Sequence, residues 1–174
     1  LPYTTTFGII ISQIKKICYH IFMVDLHIHT TASDGQYKPE QIVQKAHEKN
    51  ISTIAITDHD TINGLPQAME EGKKLGVNVV PGVELNISGF PGEFHLLGLG
   101  LKNPSKSLHE ILQKVIENRN ERNRKIIEKM QNDGIDISFE EMQEKYSGTS
   151  IGRPHFAAIM VEKKIVKTTQ LAFN

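Results

Sequence analysis

Three short apolar runs in this chain each end in ionisable residues, and that recurrence restricts the fold more than any other feature. The plainest is residues 51–57 (ISTIAIT), a β-branched run followed directly by Asp58, His59 and Asp60. Residues 24–29 (VDLHIH) carry His27 and His29 near their end, and residues 77–84 (VNVVPGVE) close on Glu84. Short runs rich in Val and Ile read as strands. Two helical patterns lie between them. Residues 39–50 open with Pro39, suited to a first helical turn, and set Ile42, Val43 and Ala46 on one face. Residues 66–75 form the second, closed by Gly76 just past the last turn. The resulting β-α-β-α-β order predicts an α/β fold with a parallel sheet and right-handed crossovers.

Beyond Glu84 the rhythm changes. Residues 83–88 and 93–99 flank Gly89-Phe90-Pro91-Gly92, the pattern of a hairpin. Residues 107–133 read as one long helix stopped at Gly134, Ser138 with Glu141 makes a capping box for a short helix, and residues 153–164 form another. A further helical pattern begins at residues 168–173 without a terminating signal, so a longer gene product is expected. The first methionine is Met23, and the apolar stretch 7–22 is interrupted by Lys15 and Lys16. It is too short and too charged to span a bilayer and lacks the pattern of a signal peptide. Residues 1–22 are therefore read as an upstream, non-native extension, with an amphipathic leader helix as the alternative.

Composition narrows the function. Twenty basic and twenty acidic residues leave no formal net charge, so nothing in the bulk charge calls for stable DNA binding or a membrane surface. An anionic substrate must be drawn by a local site. The one cysteine, Cys18, forms no intrachain disulfide, which suits a reducing cytoplasm.

Four of the eight histidines fall in patterned positions. On a strand, residues i and i+2 share a face, so His27 and His29 can grip one ion together. Asp34 follows in a loop rich in Thr, Ser, Asp and Gly. Glu84 sits where its strand should still be buried, and a bare carboxylate there needs a partner. The hairpin sets His95 on the same face as Glu84, within diagonal reach. Taken singly, each has a structural explanation: a surface or core histidine, a turn-making Asp60, a satisfied core His95. Together they lie at or just past the C-terminal ends of successive parallel strands, where open sheets and barrels place their chemistry. Imidazoles mixed with carboxylates suit Mn, Zn or Fe, and six candidates exceed one tetrahedral zinc. Two or three divalent ions sharing Glu84 as a bridge are expected. Asp58 and Asp60 are candidates for orienting the ligand histidines.

A second feature concerns anions. On the long helix Leu108, Ile111, Leu112, Val115, Ile126 and Met130 form an apolar stripe that also holds Arg119 and Arg122. Inward arginines need anionic partners, either a substrate phosphate or an internal salt bridge, unless a slight rotation of the helix sends both to solvent. Arg153-Pro154-His155 opens a later helix, whose first N–H groups favour anions.

The motifs DLHIHTTASDG, ITDHDT, PGVE and HLLGL resemble the successive motifs of the PHP (polymerase and histidinol phosphatase) domain, from Met23 to Asn174. The later NRNERNRKIIEKM and GRPHFAAIMVE are similar to the group containing nucleoside 3′,5′-bisphosphate phosphatase and the 5′-to-3′ exoribonuclease RNase AM. This resemblance implies a distorted (β/α)7 barrel whose C-terminal part is missing here. Residues 23–104 would form its first part, 105–166 a small helical insertion, and 167–174 the return to the barrel. It implies three metals, usually manganese, with zinc, iron or magnesium as alternatives. His27 and His29 would bind one with Glu84, Glu84 and His95 a second, and Asp34 and His59 the third. Arg119, Arg122, Arg153 and His155 match positions that contact substrate phosphates. Three further ligands of the family pattern would lie beyond Asn174, so this stretch alone is not expected to complete the metal shells.

The function expected is hydrolysis of phosphate esters of nucleotides or short oligoribonucleotides by a metal-activated water, with no side-chain nucleophile. The substrate would be a phosphorylated small molecule or an RNA 5′ end. The rivals are a histidinol-phosphate phosphatase and a non-catalytic PHP module.

Overall fold

The computed structural model describes residues 23–87 and 94–173, so the expected turn at residues 89–92 and the extension at residues 1–22 lie outside the described residues. Strand β1 (Met23–Ile28) leads to helix α1 (Pro39–Glu48), β2 (Ile51–Ile56), α2 (Leu65–Leu75) and β3 (Asn78–Ile87). Strand β4 (Phe94–Leu99) precedes helices α3 (Lys106–Asn132), α4 (Phe139–Lys145) and α5 (Arg153–Glu162), and a 3-10 turn (Thr169–Phe173) ends the path. One four-stranded sheet runs in the order β1-β2-β3-β4. Its first three strands are parallel, and β4 returns antiparallel on β3.

Local chemistry accounts for these boundaries. Pro39 enters α1 where its missing N–H costs nothing, and Gln41 Oε1 accepts the otherwise orphaned amide of Lys38 at 3.0 Å. Gly76, at φ 72°, ends α2 in the left-handed conformation that glycine tolerates best. Ser105 Oγ accepts from Leu108 N to cap α3, and Ser138 Oγ accepts from Glu141 N to cap α4.

Two apolar clusters result. Val43, Ala46, Ile54, Ile56, Leu65, Ala68 and Val77 pack α1 and α2 onto the sheet. Ile127, Ile137, Phe139, Met142, Ile151, Phe156 and Ile159 join the C-terminal half of α3 to α4 and α5. Each buried branched or aromatic side chain contributes about 1.5–3 kcal/mol relative to exposure. The buried face of α3 runs through Leu112, Arg119, Asn123 and Ile127. It is rotated from the expected stripe: Ile111 is 51% exposed, and the polar Asn123 occupies the core instead. Asn123 fits because its Nδ2 donates to Ile151 O at 3.1 Å and its Oδ1 accepts from Arg122 Nη2 at 3.0 Å.

Candidate metal centre and anion cleft

Parallel pairing brings the ends of β1, β2 and β3 to one edge, and the polar residues found there follow from that register. His27 lies on β1 and His29 just past it, with ring centroids 5.1 Å apart. Beyond β2 the backbone keeps its course beside β3: Glu84 N donates to Asp58 O, and Asp60 N donates to Glu84 O at 2.9 Å. These bonds set His59 directly alongside Glu84. In the β3–β4 ladder Glu84 faces Leu97 and Asn86 faces His95, so His95 reaches Glu84 diagonally on the same face.

Glu84 is the hub. Its side chain is 6% exposed. Oε2 lies 3.0 Å from His27 Nε2, 2.9 Å from His29 Nε2 and 3.4 Å from His59 Nδ1, while Oε1 lies 2.8 Å from His95 Nδ1. Asp34 closes the other side, with Oδ1 3.0 Å from His29 Nδ1 and Oδ2 3.9 Å from His59 Nε2. The six residues form three overlapping groups: His27/His29/Glu84, His29/Asp34/His59 and His59/Glu84/His95. Within each, one ligand atom per residue lies within 4.8 Å of the others.

Charge is strained in this cluster. Burial pushes the Asp34 carboxyl up, but the His29 hydrogen bond and the His59 and His29 charges outweigh it and hold its pKa at about 2. Burial alone would lower the His29 pKa; its hydrogen bond to Asp34, with the Asp34 and Glu84 charges, raises it instead. For His59 burial wins, and its pKa falls. Burial also opposes ionisation of Glu84, yet hydrogen bonding from His27 and the His59 charge leave its pKa depressed.

The donor set fits divalent cations. His27 Nε2 and His29 Nε2 face each other at 3.1 Å, and three imidazole nitrogens converge on one carboxylate oxygen. His59 Nδ1 is buried with no hydrogen-bond partner. Neutral imidazoles so arranged aim lone pairs at shared space, which a cation satisfies and another donor cannot.

Asp58 and Asp60 do not orient the histidines as the sequence suggested. Asp58, 1% exposed, accepts from Thr30 N at 2.7 Å, Thr30 Oγ1 at 2.8 Å and Ser33 Oγ at 2.6 Å. It thereby pins the loop that carries Asp34. Asp60 is fully buried and pairs with Arg119 Nη2.

A cleft of about 380 Å³ opens beside the cluster, lined by Asp34, His59 and His95 on one side and Arg119, Arg122 and Arg153 on the other. Arg122 is half-buried, and its Nε has no hydrogen-bond partner. His155 lines the adjoining cavity, which shares Asp34 and Pro154 with the cleft, its Nδ1 2.9 Å from Gly152 N and its ring edge-on to Tyr146 at 4.5 Å. Sequence reasoning missed Asn86 and Gly152 in the cleft wall, and Thr30 and Ser33 beneath Asp34. Their only trace was the abundance of small polar residues in the loops.

Residues 25–169 match the PHP domain model. The chain is 39% identical over 140 residues to the 5′-3′ exoribonuclease Rnm of Escherichia coli, covering 79% of this chain and 48% of that protein. It is 30% identical over 152 residues to the 3′,5′-nucleoside bisphosphate phosphatase of Chromobacterium violaceum, covering 87% and 53%. A candidate metal-dependent phosphoesterase from Bifidobacterium adolescentis superposes with a TM-score of 0.80 at 26% identity, covering 88% of this chain and 54% of that one. The chain spans about half the length of the curated relatives it matches.

Proposed function

Because the chain belongs to the PHP domain family, with a curled, half-barrel α/β sheet of that type, we propose that it supplies the metal-holding strand ends and phosphate-facing arginines of a phosphoesterase. Its substrates would be nucleotides or short oligoribonucleotides, entering as a phosphorylated small molecule or an RNA 5′ end. The names of the E. coli and C. violaceum relatives support that substrate class. The observation that carries the reading is the junction of three overlapping ligand groups, all close to Glu84, with an arginine-lined cleft.

His27, His29 and Glu84 would hold one ion, His29, Asp34 and His59 a second, and His59, Glu84 and His95 a third. Bound divalent ions would acidify a water and neutralise charge developing on phosphate oxygens. The mixed set of imidazoles and carboxylates suits manganese, with zinc, iron or magnesium as alternatives. Arg122 and Arg153 would bind and orient the phosphate, with Arg119 behind them. Helices α3 to α5 correspond in this reading to an insertion over residues 105–166. Among the described residues no helix is long and apolar enough to cross a membrane, and we place the protein in the cytoplasm.

The test is manganese binding by this chain, alone and within any longer product of its gene. Phosphate release is then followed from a 3′,5′-nucleoside bisphosphate, a 5′-phosphorylated oligoribonucleotide and histidinol phosphate. Turnover of the first two, abolished by Glu84→Gln, is expected. Less than one bound equivalent of manganese, or equal turnover by Glu84→Gln, overturns the reading.

A further inference from the structure

We propose that Asp60 is a positioning residue: it holds the Arg119 guanidinium across the floor of the anion cleft, and so governs phosphate capture without ligating a metal. This rests on the phosphoesterase reading and deepens it.

Asp60 follows His59 immediately, in a left-handed conformation at φ 55° that few non-glycine residues adopt. Its amide and both carboxylate oxygens are engaged away from the histidine rings. Its amide donates to Glu84 O at 2.9 Å, its Oδ1 accepts from Asn86 N at 3.1 Å, and its Oδ2 pairs with Arg119 Nη2. Asp60 is therefore tied to β3 on both sides of the edge that carries Glu84, and to α3 through Arg119. The far terminal nitrogen of Arg119, Nη1, lies against the start of α5: a β-carbon on Gly152 would sit 3.4 Å from it. One guanidinium thus spans the gap between the sheet and α5, both of which wall the cleft.

The arrangement divides the work of the two arginines. Arg119 is buried and already has its carboxylate. Arg122 lies one turn on along α3 and lines the same cleft, with its Nε unsatisfied. Without Asp60, two guanidinium groups would face each other with no buried counter-charge, and Arg119 would have no fixed direction. A planar fork held at one end presents its other donors in a fixed plane, which a lysine ammonium cannot do.

Asp60→Asn is the sharpest probe, because asparagine keeps the acceptor for Asn86 N and tolerates positive φ while losing the charge that holds Arg119. We expect kcat/KM to fall by roughly tenfold to a hundredfold, the scale of a misplaced binding group. Manganese stoichiometry and affinity should not change. Inorganic phosphate affinity is then measured by calorimetry across wild type, Asp60→Asn, Arg119→Gln and the double variant. If Asp60 acts through Arg119, the double variant is no weaker than Arg119→Gln alone. Additive losses, or a loss of manganese in Asp60→Asn, overturn the proposal and make Asp60 a structural or ligating residue. Should the uncompensated arginine unfold Asp60→Asn, Arg119→Lys keeps the ion pair but not the fork. It is expected to retain wild-type stability and lose phosphate affinity; undiminished affinity overturns the proposal. Phosphate binding with the coupled cycle but no ester hydrolysis leaves Asp60 in this role and removes the phosphoesterase reading. No phosphate binding by the wild type overturns both.

Discussion

Replacing Asp58 by alanine should loosen one part of the metal centre selectively. The carboxylate accepts three hydrogen bonds, all from the segment between His29 and Asp34. Two donors are hydroxyls, which can rotate; Ser33 Oγ also lies 3.5 Å from the acceptor Asp34 Oδ1. The third donor, Thr30 N, belongs to a residue with no exposed surface, and no rotation can re-pair it. An orphaned buried donor costs about 1–3 kcal/mol, and removing a desolvated carboxylate returns part of that, so a net loss of about 2 kcal/mol is expected. Since this loss falls on the loop that presents His29 and Asp34, it translates into roughly 30-fold weaker manganese binding where those residues contribute. The His59/Glu84/His95 group, outside that loop, should keep its affinity. Urea unfolding of the metal-free chain reads the first quantity and calorimetric titration with manganese the second. An unchanged midpoint, or equal weakening of every class of site, refutes the argument that Asp58 acts by pinning this loop.

Gly35→Ala should disturb the same loop by crowding, because a β-carbon there would fall 2.3 Å from the His29 carbonyl oxygen. A loss of about 1–3 kcal/mol in denaturant unfolding is expected, with weaker manganese binding. Manganese affinity should also rise with pH. The raised His29 pKa means that its charged form stabilises the metal-free protein fully below the ordinary value of 6.5 and loses that contribution as pH rises through the raised value. A metal needs the neutral ring, so affinity should climb by up to about tenfold per unit over that interval. Titrations at several pH values check this, and a flat profile contradicts the proton competition. Asn123→Leu should destabilise the helical cluster by about 1–3 kcal/mol, since it strands the Ile151 carbonyl and one Arg122 nitrogen. Thermal unfolding measures that loss, and Asn123→Asp, which can still pair with Arg122, should lose less.

The convergence of the candidate ligands was legible because strand geometry is regular. The spacing of His27 and His29 fixes a common face, the apolar run 51–57 marks where β2 ends, and the parallel register sets that end beside Glu84 on β3, which runs on to Ile87. Even the diagonal reach of His95 to Glu84 follows from an antiparallel ladder. Asn86, which faces His95 across that ladder, was not singled out from the sequence. Helix α3 was less legible. A stripe drawn from apolar residues alone included Ile111, which is exposed, and omitted Asn123, which is fully buried. Periodicity locates a helix to within a fraction of a turn, and a polar core residue with two good partners looks like a surface residue in one dimension.

Partner choice was not legible at all. Asp58 and Asp60 flank His59 and look equivalent in the string Asp-His-Asp, yet one faces the Thr30–Ser33 loop and the other faces Arg119, 59 residues away. The sign of φ at Asp60 separates them, and no propensity forces that sign on an aspartate. The inward arginines had three possible explanations, an internal salt bridge, a substrate phosphate or a rotation to solvent, and α3 uses the first for Arg119 while Arg122 keeps an unsatisfied donor beside the cleft. That asymmetry has a physical basis. A buried guanidinium must be neutralised in the resting fold, or the cost of its desolvation falls on folding itself. A half-buried one can wait for an anion, because water covers part of its charge until the anion arrives. A protein of zero net charge can therefore still offer an anion a cationic group, provided its deepest arginine is paired and a shallower one, Arg122, keeps a donor for the ligand.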